Sequence, residues 1–99
     1  MAAIRWTEQA LADLEAISEY IARDSLAYAK LHVKTVFDAV QRLGLFPESG
    51  RVVPEFEKSE IREIILGNYR IIYRYSPDLV EILTVYHSSR LLNDETVSS

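Results

Sequence analysis

Apolar residues recur every three or four positions in the first half of the chain, which is the period of one helix face. They mark a first predicted helix over residues 8–22, whose apolar stripe is Ala10, Leu14, Ile17 and Ile21. Thr7 precedes this helix as an N-cap. A second helix is predicted over Leu26–Leu43, with Ser25 as its N-cap and Gly44 as its left-handed stop. Because the connection between them is short, the two helices form an antiparallel hairpin.

The second half of the chain alternates between apolar and other residues, which is the period of a strand. Three strands are predicted, at about Glu60–Leu66, Tyr69–Ser76 and Leu79–His87. Gly67-Asn68 and Pro77-Asp78 separate them as two-residue turns, so the strands form an antiparallel meander. Residues 2–6 predict a further short strand. This order predicts the α+β class, with the helical hairpin packed on one face of an antiparallel sheet that the C-terminal meander completes.

The two tight turns fix the register of the meander and thereby assign each side chain to a face. Arg70, Arg74 and His87 fall together on the face that the helices leave bare, and Arg90 follows just after the last strand. Arg74 comes directly opposite Glu81 as a cross-strand pair. The helix side collects the tyrosines of the meander, Tyr69, Tyr73, Tyr75 and Tyr86. Arg70, His87 and Arg90 therefore predict a cationic surface; the alternative is an ordinary solvated sheet face.

Length and composition limit the architecture and the function classes. The chain of 99 residues predicts a single domain over residues 1–99, with a flexible polar tail at 93–99. It contains no cysteine, signal peptide or long apolar run, so a cytoplasmic location and no membrane partner are expected. The net charge is −4 without any basic run, which argues against a general affinity for nucleic acid.

The residues that carry chemistry do not form a recognisable catalytic or cofactor site. His32 and His87 lack the carboxylate spacing that would complete a metal site, so no metal is expected. Ser88 and Ser89 adjoin His87 in the chain, and neighbouring residues cannot form a nucleophile–base–orienter arrangement. The chain has only three glycines and no phosphate-binding loop, so no cofactor is expected.

Four fragments in fixed order carry a resemblance: "IRWTEQALADLEAISEYIA", "FPESGRVVPE", "IREIILGNYRIIYRY" and "TVYHSSR". Together they resemble the RelE/ParE toxin superfamily of bacterial toxin–antitoxin modules over nearly the whole chain. The first is similar to the opening strand and helix of that family, with its Trp-Thr-x-x-Ala-x-x-Asp-Leu pattern. The second resembles the family's Pro…Gly-Arg loop, and the last two resemble its hairpin and closing strand.

The resemblance implies one of two activities. RelE-like members cleave mRNA in the ribosome with basic residues on the helix-free sheet face, whereas ParE-like members lack that set and poison DNA gyrase. By position, Arg70 matches an arginine common to both branches and Arg90 matches a second one. His87 fits a position that some ribonuclease-like relatives use. Glu63 stands where a cation would be expected in the RelE branch.

The ParE-like branch is therefore favoured, as a plasmid-stabilisation toxin that inhibits gyrase by binding it, without chemistry of its own. Arg70, Arg74 and Arg90 would be its target-binding residues. The alternative is a ribosome-dependent mRNA endoribonuclease, in which Arg70, His87 and Arg90 would be catalytic. A third hypothesis is an inactive relative that retains only its antitoxin interaction.

All three hypotheses share one implied partner, a ParD/RelB-like antitoxin encoded beside the toxin. The disordered C-terminal segment of such an antitoxin folds as it wraps the toxin, giving a hetero-oligomer. Tyr28, Leu31 and Thr35 lie on the side of the second predicted helix that faces away from the core. They are the predicted antitoxin-binding residues.

Overall fold

The computed structural model describes residues 1–88, which form two helices and a five-stranded sheet. The elements are β1 (Ala3–Trp6), α1 (Glu8–Ala22), α2 (Leu26–Leu45), β2 (Arg51–Val52), β3 (Ile61–Leu66), β4 (Tyr69–Ser76) and β5 (Leu79–His87). The strand order is β1-β5-β4-β3-β2, with β1 parallel to β5 and the other neighbours antiparallel. The predicted α+β class, helical hairpin and C-terminal meander are confirmed. Arg90 and the predicted tail at 93–99 lie outside the described residues.

Both helices begin at their predicted caps. Thr7 Oγ1 accepts a hydrogen bond from Ala10 N at 3.1 Å, and Ser25 Oγ accepts one from Tyr28 N at 3.1 Å. Each bond satisfies a backbone donor of the first turn that has no partner within its helix. Thr7 Oγ1 also donates to Ile82 O at 2.8 Å. One threonine therefore begins α1 and ties it to β5.

The second helix extends past its predicted end. It continues to Leu45, so the predicted stop at Gly44 is wrong. Gly44 has a packing role instead: its carbonyl accepts a hydrogen bond from Ala2 N at 2.9 Å, and a Cβ at position 44 would lie 3.1 Å from Ala2 O. The missing side chain lets the start of the chain lie against the last turn of α2.

Two-residue turns join the strands of the meander, as predicted. Leu66 faces Tyr69 across the first turn, and Ser76 faces Leu79 across the second. Gly67 has a φ of +58°, a left-handed conformation that glycine adopts without steric cost. The register beside both turns is the one that the sequence predicts.

The register between β4 and β5 changes once, midway along the two strands. Tyr73 faces Ile82, but Ile72 faces Thr84. Leu83 is therefore an extra residue on β5, where two residues oppose one on the partner strand. A bulge of this kind moves every later side chain of its strand to the other face.

The faces predicted for the end of β5 are wrong because of this bulge. Val85 packs in the core beneath the helices, whereas Tyr86, predicted there, packs on the opposite face. His87 contacts Tyr69 edge-on at 5.4 Å, on the helix side. His87 does not share a face with Arg70, contrary to the prediction.

A buried polar contact with α1 holds the bulge in place. Asp13 Oδ2 accepts hydrogen bonds from Thr84 Oγ1 and, at 3.2 Å, from Val85 N. Thr84 is almost fully buried. Buried polar groups require such partners, so the two donors at the bulge and the carboxylate on the helix depend on one another.

Apolar clusters cover both faces of the sheet. The main core lies between the helices and the sheet, and its largest fully buried members are Leu43, Val36, Val40, Ile71, Tyr73, Val80 and Ile82. A second cluster lies on the other face: Val53, Ile61, Ile72 and Leu83, with Phe56 and Tyr86 packed against it. Phe56 belongs to the segment 53–60, here named the 53–60 loop. Part of the face predicted to be bare is therefore covered by this loop.

One buried hydroxyl fixes the loop that follows α2. Tyr73 Oη donates to Pro47 O at 2.7 Å and accepts from Gly50 N at 2.9 Å. Burial raises the pKa of the Tyr73 hydroxyl, which keeps it protonated as a donor at neutral pH. The contact holds residues 47–51 against the sheet and so places Arg51 beside β3.

Neither helix within residues 1–88 combines the length and the apolar character needed to cross a membrane.

Candidate functional site

Arg70 on β4 is the centre of the charged residues on the face away from the helices. Its side chain is only 7% exposed. Nη1 and Nη2 donate to the two carboxylate oxygens of Glu55 at 2.7 and 2.9 Å, and Nε donates to Glu63 Oε1 at 2.5 Å. The planar fork of a guanidinium suits this bidentate arrangement. The predicted face of Arg70 is confirmed, whereas the predicted open cationic surface is wrong.

Glu63 extends this contact into a network of four charged side chains. It faces Arg51 across β2 and β3, and Arg51 Nε donates to Glu63 Oε2 at 2.6 Å. Both oxygens of the fully buried Glu63 carboxylate are thus occupied by arginines. We call this set, Arg51, Glu55, Glu63 and Arg70, the arginine–glutamate network. Its two positive and two negative charges balance.

The network compensates the burial of the positive charge of Arg70. The hydrogen bonds to Glu55 raise the pKa of Arg70 above its ordinary value, burial opposes them, and the hydrogen bond and charge of Glu63 raise it further. The guanidinium is therefore engaged by two carboxylates in this conformation. Access to it from outside requires Glu55 to move, because Glu63 is fully buried on β3, whereas Glu55 lies in the 53–60 loop and its side chain is 20% exposed.

Arg74 makes the cross-strand pair that the sequence predicts. It lies directly opposite Glu81, and Arg74 Nη1 is 3.8 Å from Glu81 Oε1. Arg5 of β1 forms a closer ion pair with the same carboxylate, at 2.6 Å. The Arg74 side chain is 38% exposed. It is therefore the predicted target-binding arginine that is most accessible among residues 1–88.

His87 lies on the other side of the sheet, in a cleft between α1 and the ends of β4 and β5. The cleft has a volume of about 730 Å³ and is lined by polar and aromatic side chains, among them Asp13, Tyr20, Asn68, Tyr69 and His87. The His87 imidazole is exposed and packs against Tyr69, which in turn packs against His32 of α2 at 5.1 Å. Arg70 and His87, two of the three predicted catalytic residues, are therefore separated by the sheet.

His32 carries a buried nitrogen, Nε2, that has no hydrogen-bond partner among the described residues. Burial lowers the pKa of His32 below its ordinary value of 6.5. The unfolded chain therefore takes up this proton at higher pH than the folded protein does. The resulting contribution to stability is complete above about pH 6.5 and is lost as the pH falls toward the folded pKa.

Replacing His32 by phenylalanine is accordingly expected to reduce the loss of stability between pH 7.5 and pH 5.5. The measurement is the free energy of unfolding in urea at both pH values, for the wild type and for His32→Phe. His87→Gln, at the exposed histidine, is the matched control and should retain the wild-type difference. An unchanged difference in His32→Phe would assign the acid sensitivity to other groups.

The outward side of α2 presents an apolar strip. Tyr28 and Leu31 are 69% and 57% exposed, and Thr35 is exposed as well. Thr35 Oγ1 donates to Leu31 O at 2.9 Å, so its methyl group continues the strip. The predicted position of these residues away from the core is confirmed.

No group of three or more metal-ligating side chains within residues 1–88 is arranged to hold a metal ion.

Comparisons with known proteins agree with this architecture. Residues 4–92 match the family described as the ParE toxin of the type II toxin–antitoxin system, parDE. Y4kP of Sinorhizobium fredii, named as a candidate toxin, is 45% identical over 87 residues that cover 86% of each chain. Toxin RelE2 of Caulobacter vibrioides is 35% identical over 92% of this chain and all of its own length.

A solved structure has the same fold. It is described as the chromosomal ParDE TA system from P. aeruginosa and superimposes with a TM-score of 0.72. The match covers 88% of this chain and 96% of the other, at 24% sequence identity.

Proposed function

This chain belongs to the ParE toxin family of type II toxin–antitoxin systems, and we propose that it arrests growth by binding DNA gyrase, without chemistry of its own. An antitoxin encoded beside it neutralises it. Arg74 is the accessible target contact on the helix-free face, and Arg90, outside the described residues, is a second. Arg70 becomes a third contact only when its carboxylate partners are rearranged.

The separation of Arg70 from His87 is the observation that supports binding over catalysis. RNA cleavage by attack of a 2′-OH needs a base, an acid and cations around the same phosphate. Glu55 and Glu63 already engage the Arg70 guanidinium, and the sheet stands between it and the His87 imidazole. An incoming phosphate on the helix-free face would also meet the two carboxylates. The overall charge of −4 adds to this repulsion.

A supercoiling assay with purified gyrase tests the proposal. We expect the protein to inhibit supercoiling at micromolar concentration, and addition of the cognate antitoxin to restore it. The comparison protein is Arg74→Glu, whose inhibition should be weaker because it reverses an accessible charge. Untouched supercoiling together with arrested translation would contradict gyrase binding. Normal growth on expression without an antitoxin would instead favour an inactive relative.

The similarity to a protein named RelE2 keeps one alternative, a ribosome-dependent mRNA endoribonuclease. In that case Arg70, His87 and Arg90 would carry the reaction. Primer extension on translated mRNA separates the two functions, with Arg70→Ala and His87→Ala beside the wild type. Absence of cleavage products with the wild-type protein would rule out the endoribonuclease. Products that form with the wild type and are lost in both variants would support the endoribonuclease instead of gyrase binding.

The exposed strip on α2 is the proposed contact for the antitoxin. Tyr28, Leu31 and Thr35 present apolar surface that the folded toxin leaves in water. An amphipathic segment that folds on binding recognises a surface of this kind through a few apolar anchors.

Truncating Leu31 to alanine is expected to weaken the antitoxin complex about tenfold, since one exposed apolar anchor is removed. Leu31 is 57% exposed, so the free energy of unfolding should change by less than about 0.5 kcal/mol. Leu11→Ala on α1 is the matched control, because Leu11 is 48% exposed on the other helix. Titration calorimetry gives the affinity and urea denaturation the stability. Equal losses in both measurements would show that Leu31 belongs to the core.

A further inference from the structure

The 53–60 loop closes over Arg70 between two anchored ends. Val53 N donates to Ile61 O at 3.3 Å, and Tyr75 N donates to Glu60 O at 3.0 Å. Between these ends the backbone hydrogen bonds close within the loop: Phe56 N and Glu57 N both donate to Val53 O at 3.1 Å. Val53 is fully buried in the apolar cluster at the start of the loop. In the middle of the loop, the side chains of Glu55 and Phe56 fasten it to the sheet face.

The two fastening residues occupy two different subsites. Glu55 fills the guanidinium fork of Arg70, and Phe56 packs on the apolar cluster that contains Ile61, Ile72 and Leu83. Two adjacent residues thus fill both subsites: the acidic side chain binds the cation, and the aromatic side chain packs on the apolar cluster. The loop itself displays the chemistry of a ligand that would fit this face.

We propose that the 53–60 loop is a displaceable strap and that gyrase, the target under the proposed function, presents an acidic peptide segment that replaces Glu55 on Arg70. When the strap opens, Arg70 keeps Glu63 as one partner and exchanges Glu55 for a carboxylate of the target. Phe56 leaves the apolar cluster, and an apolar side chain of the target takes its place. The closed strap competes with the target. The apparent affinity is therefore the affinity of the open form multiplied by the fraction of molecules that are open.

The surroundings favour a peptide over RNA as the occupant. Glu63 stays buried beside Arg70 and would repel a phosphodiester chain, while one carboxylate would only restore the charge balance that Glu55 provides. The buried residues of the floor that Phe56 covers are aliphatic, Val53, Ile61, Ile72 and Leu83, and they suit an apolar side chain of a peptide. An acidic and apolar peptide matches both subsites.

The first test measures whether Glu55 closes the strap in the free protein. Phenylglyoxal modifies accessible arginines, and mass spectrometry reports the rate at Arg70. We expect Glu55→Gln to raise this rate about tenfold, which corresponds to about 1.4 kcal/mol less free energy of closure. Glu57→Gln, which removes an exposed carboxylate from the same loop, should match the wild type. Equal protection of Arg70 in all three proteins would overturn the strap.

The second test measures whether opening the strap helps the target to bind. Glu55→Gln is expected to lower the concentration that half-inhibits gyrase supercoiling about tenfold, because it removes the internal competitor. Phe56→Ala opens the strap without altering charge and should act in the same direction, which covers the case that Glu55→Gln folds poorly. Adding Arg70→Lys to Glu55→Gln should remove the gain, since lysine cannot form the two-pronged contact.

The outcomes separate this inference from the proposed function on which it rests. If the wild type inhibits gyrase and both Glu55→Gln and Phe56→Ala inhibit it equally or more weakly, the strap is not a competitor. Gyrase binding itself would then still stand. No inhibition by any variant overturns gyrase binding and, with it, the partner assigned to the strap. A single-stranded RNA oligonucleotide that binds Glu55→Gln more tightly than gyrase does would overturn the peptide as the occupant.

Discussion

Replacing Glu63 by glutamine is expected to lower the free energy of unfolding by about 3–5 kcal/mol, the usual cost of removing one partner from a buried ion pair. The side chain of Glu63 is fully buried, and each of its oxygens accepts from a different arginine. The neutral amide leaves the positive charge of Arg70, whose side chain is 7% exposed, without one of the two carboxylates that engage it. Its NH2 group would also point at one of the two guanidinium groups.

Urea denaturation followed by circular dichroism measures this loss. Glu60→Gln is the matched control, since it removes the same charge from an exposed residue three positions earlier in the chain. The double variant Glu63→Leu/Arg70→Leu should lose less free energy of unfolding than the sum of the losses in Glu63→Leu and in Arg70→Leu. In the double variant neither member of this buried ion pair is left without the other. Additive losses would show that the two residues do not depend on each other.

Replacing Gly50 by alanine is expected to lower the melting temperature by about 10 °C, through overpacking that costs roughly 1–3 kcal/mol. A Cβ at position 50 would lie 2.6 Å from Tyr73 Oη and 2.6 Å from Glu63 O. One of these atoms is a backbone oxygen of β3 and the other is a buried hydroxyl, so neither can turn away into solvent. The segment 47–51 must therefore move off the sheet.

Differential scanning calorimetry checks this prediction, with Gly67→Ala for comparison. No atom of residues 1–88 lies within 4 Å of a Cβ built on Gly67, so we expect that change to act through the positive φ of the residue. A second variant, Gly50→Ala with Tyr73→Phe, removes one of the two clashing atoms but leaves Glu63 O in place. Gly50→Ala should therefore lower the melting temperature of Tyr73→Phe by somewhat less than it lowers that of the wild type. A melting temperature that is unchanged in Gly50→Ala would show that the segment yields freely.

Local signals in the sequence predict most of the secondary structure. Thr7 and Ser25 carry the cap chemistry, and both two-residue turns set the register beside them, because these features depend on residues close together in the chain. The bulge at Leu83 carries no such signal. It depends on Asp13 bonding to Thr84, which lies 71 residues away in the chain. A strictly alternating pattern therefore assigns the end of β5 to the wrong faces.

The candidate site was predicted only in part for the same reason. The strand register places Arg70 and Glu63 on one face and pairs Arg74 with Glu81, as observed. Nothing local indicates that Glu55 folds back onto Arg70, since polar loops of this composition usually lie in solvent. Phe56 is the one signal that the loop covers apolar surface. The role of the "FPESGR" motif is likewise explained by a distant residue, because Pro47 O and Gly50 N both bond to the buried hydroxyl of Tyr73.

The parallel pairing of β1 with β5 has a consequence for biosynthesis. Residues 3–6 are translated well before their strand partners, residues 79–82. Until those codons have been decoded, β1 has no neighbour and the nascent polypeptide cannot complete its sheet. A polypeptide that ends before residue 79 therefore lacks the partner of β1 and cannot form the complete five-stranded sheet.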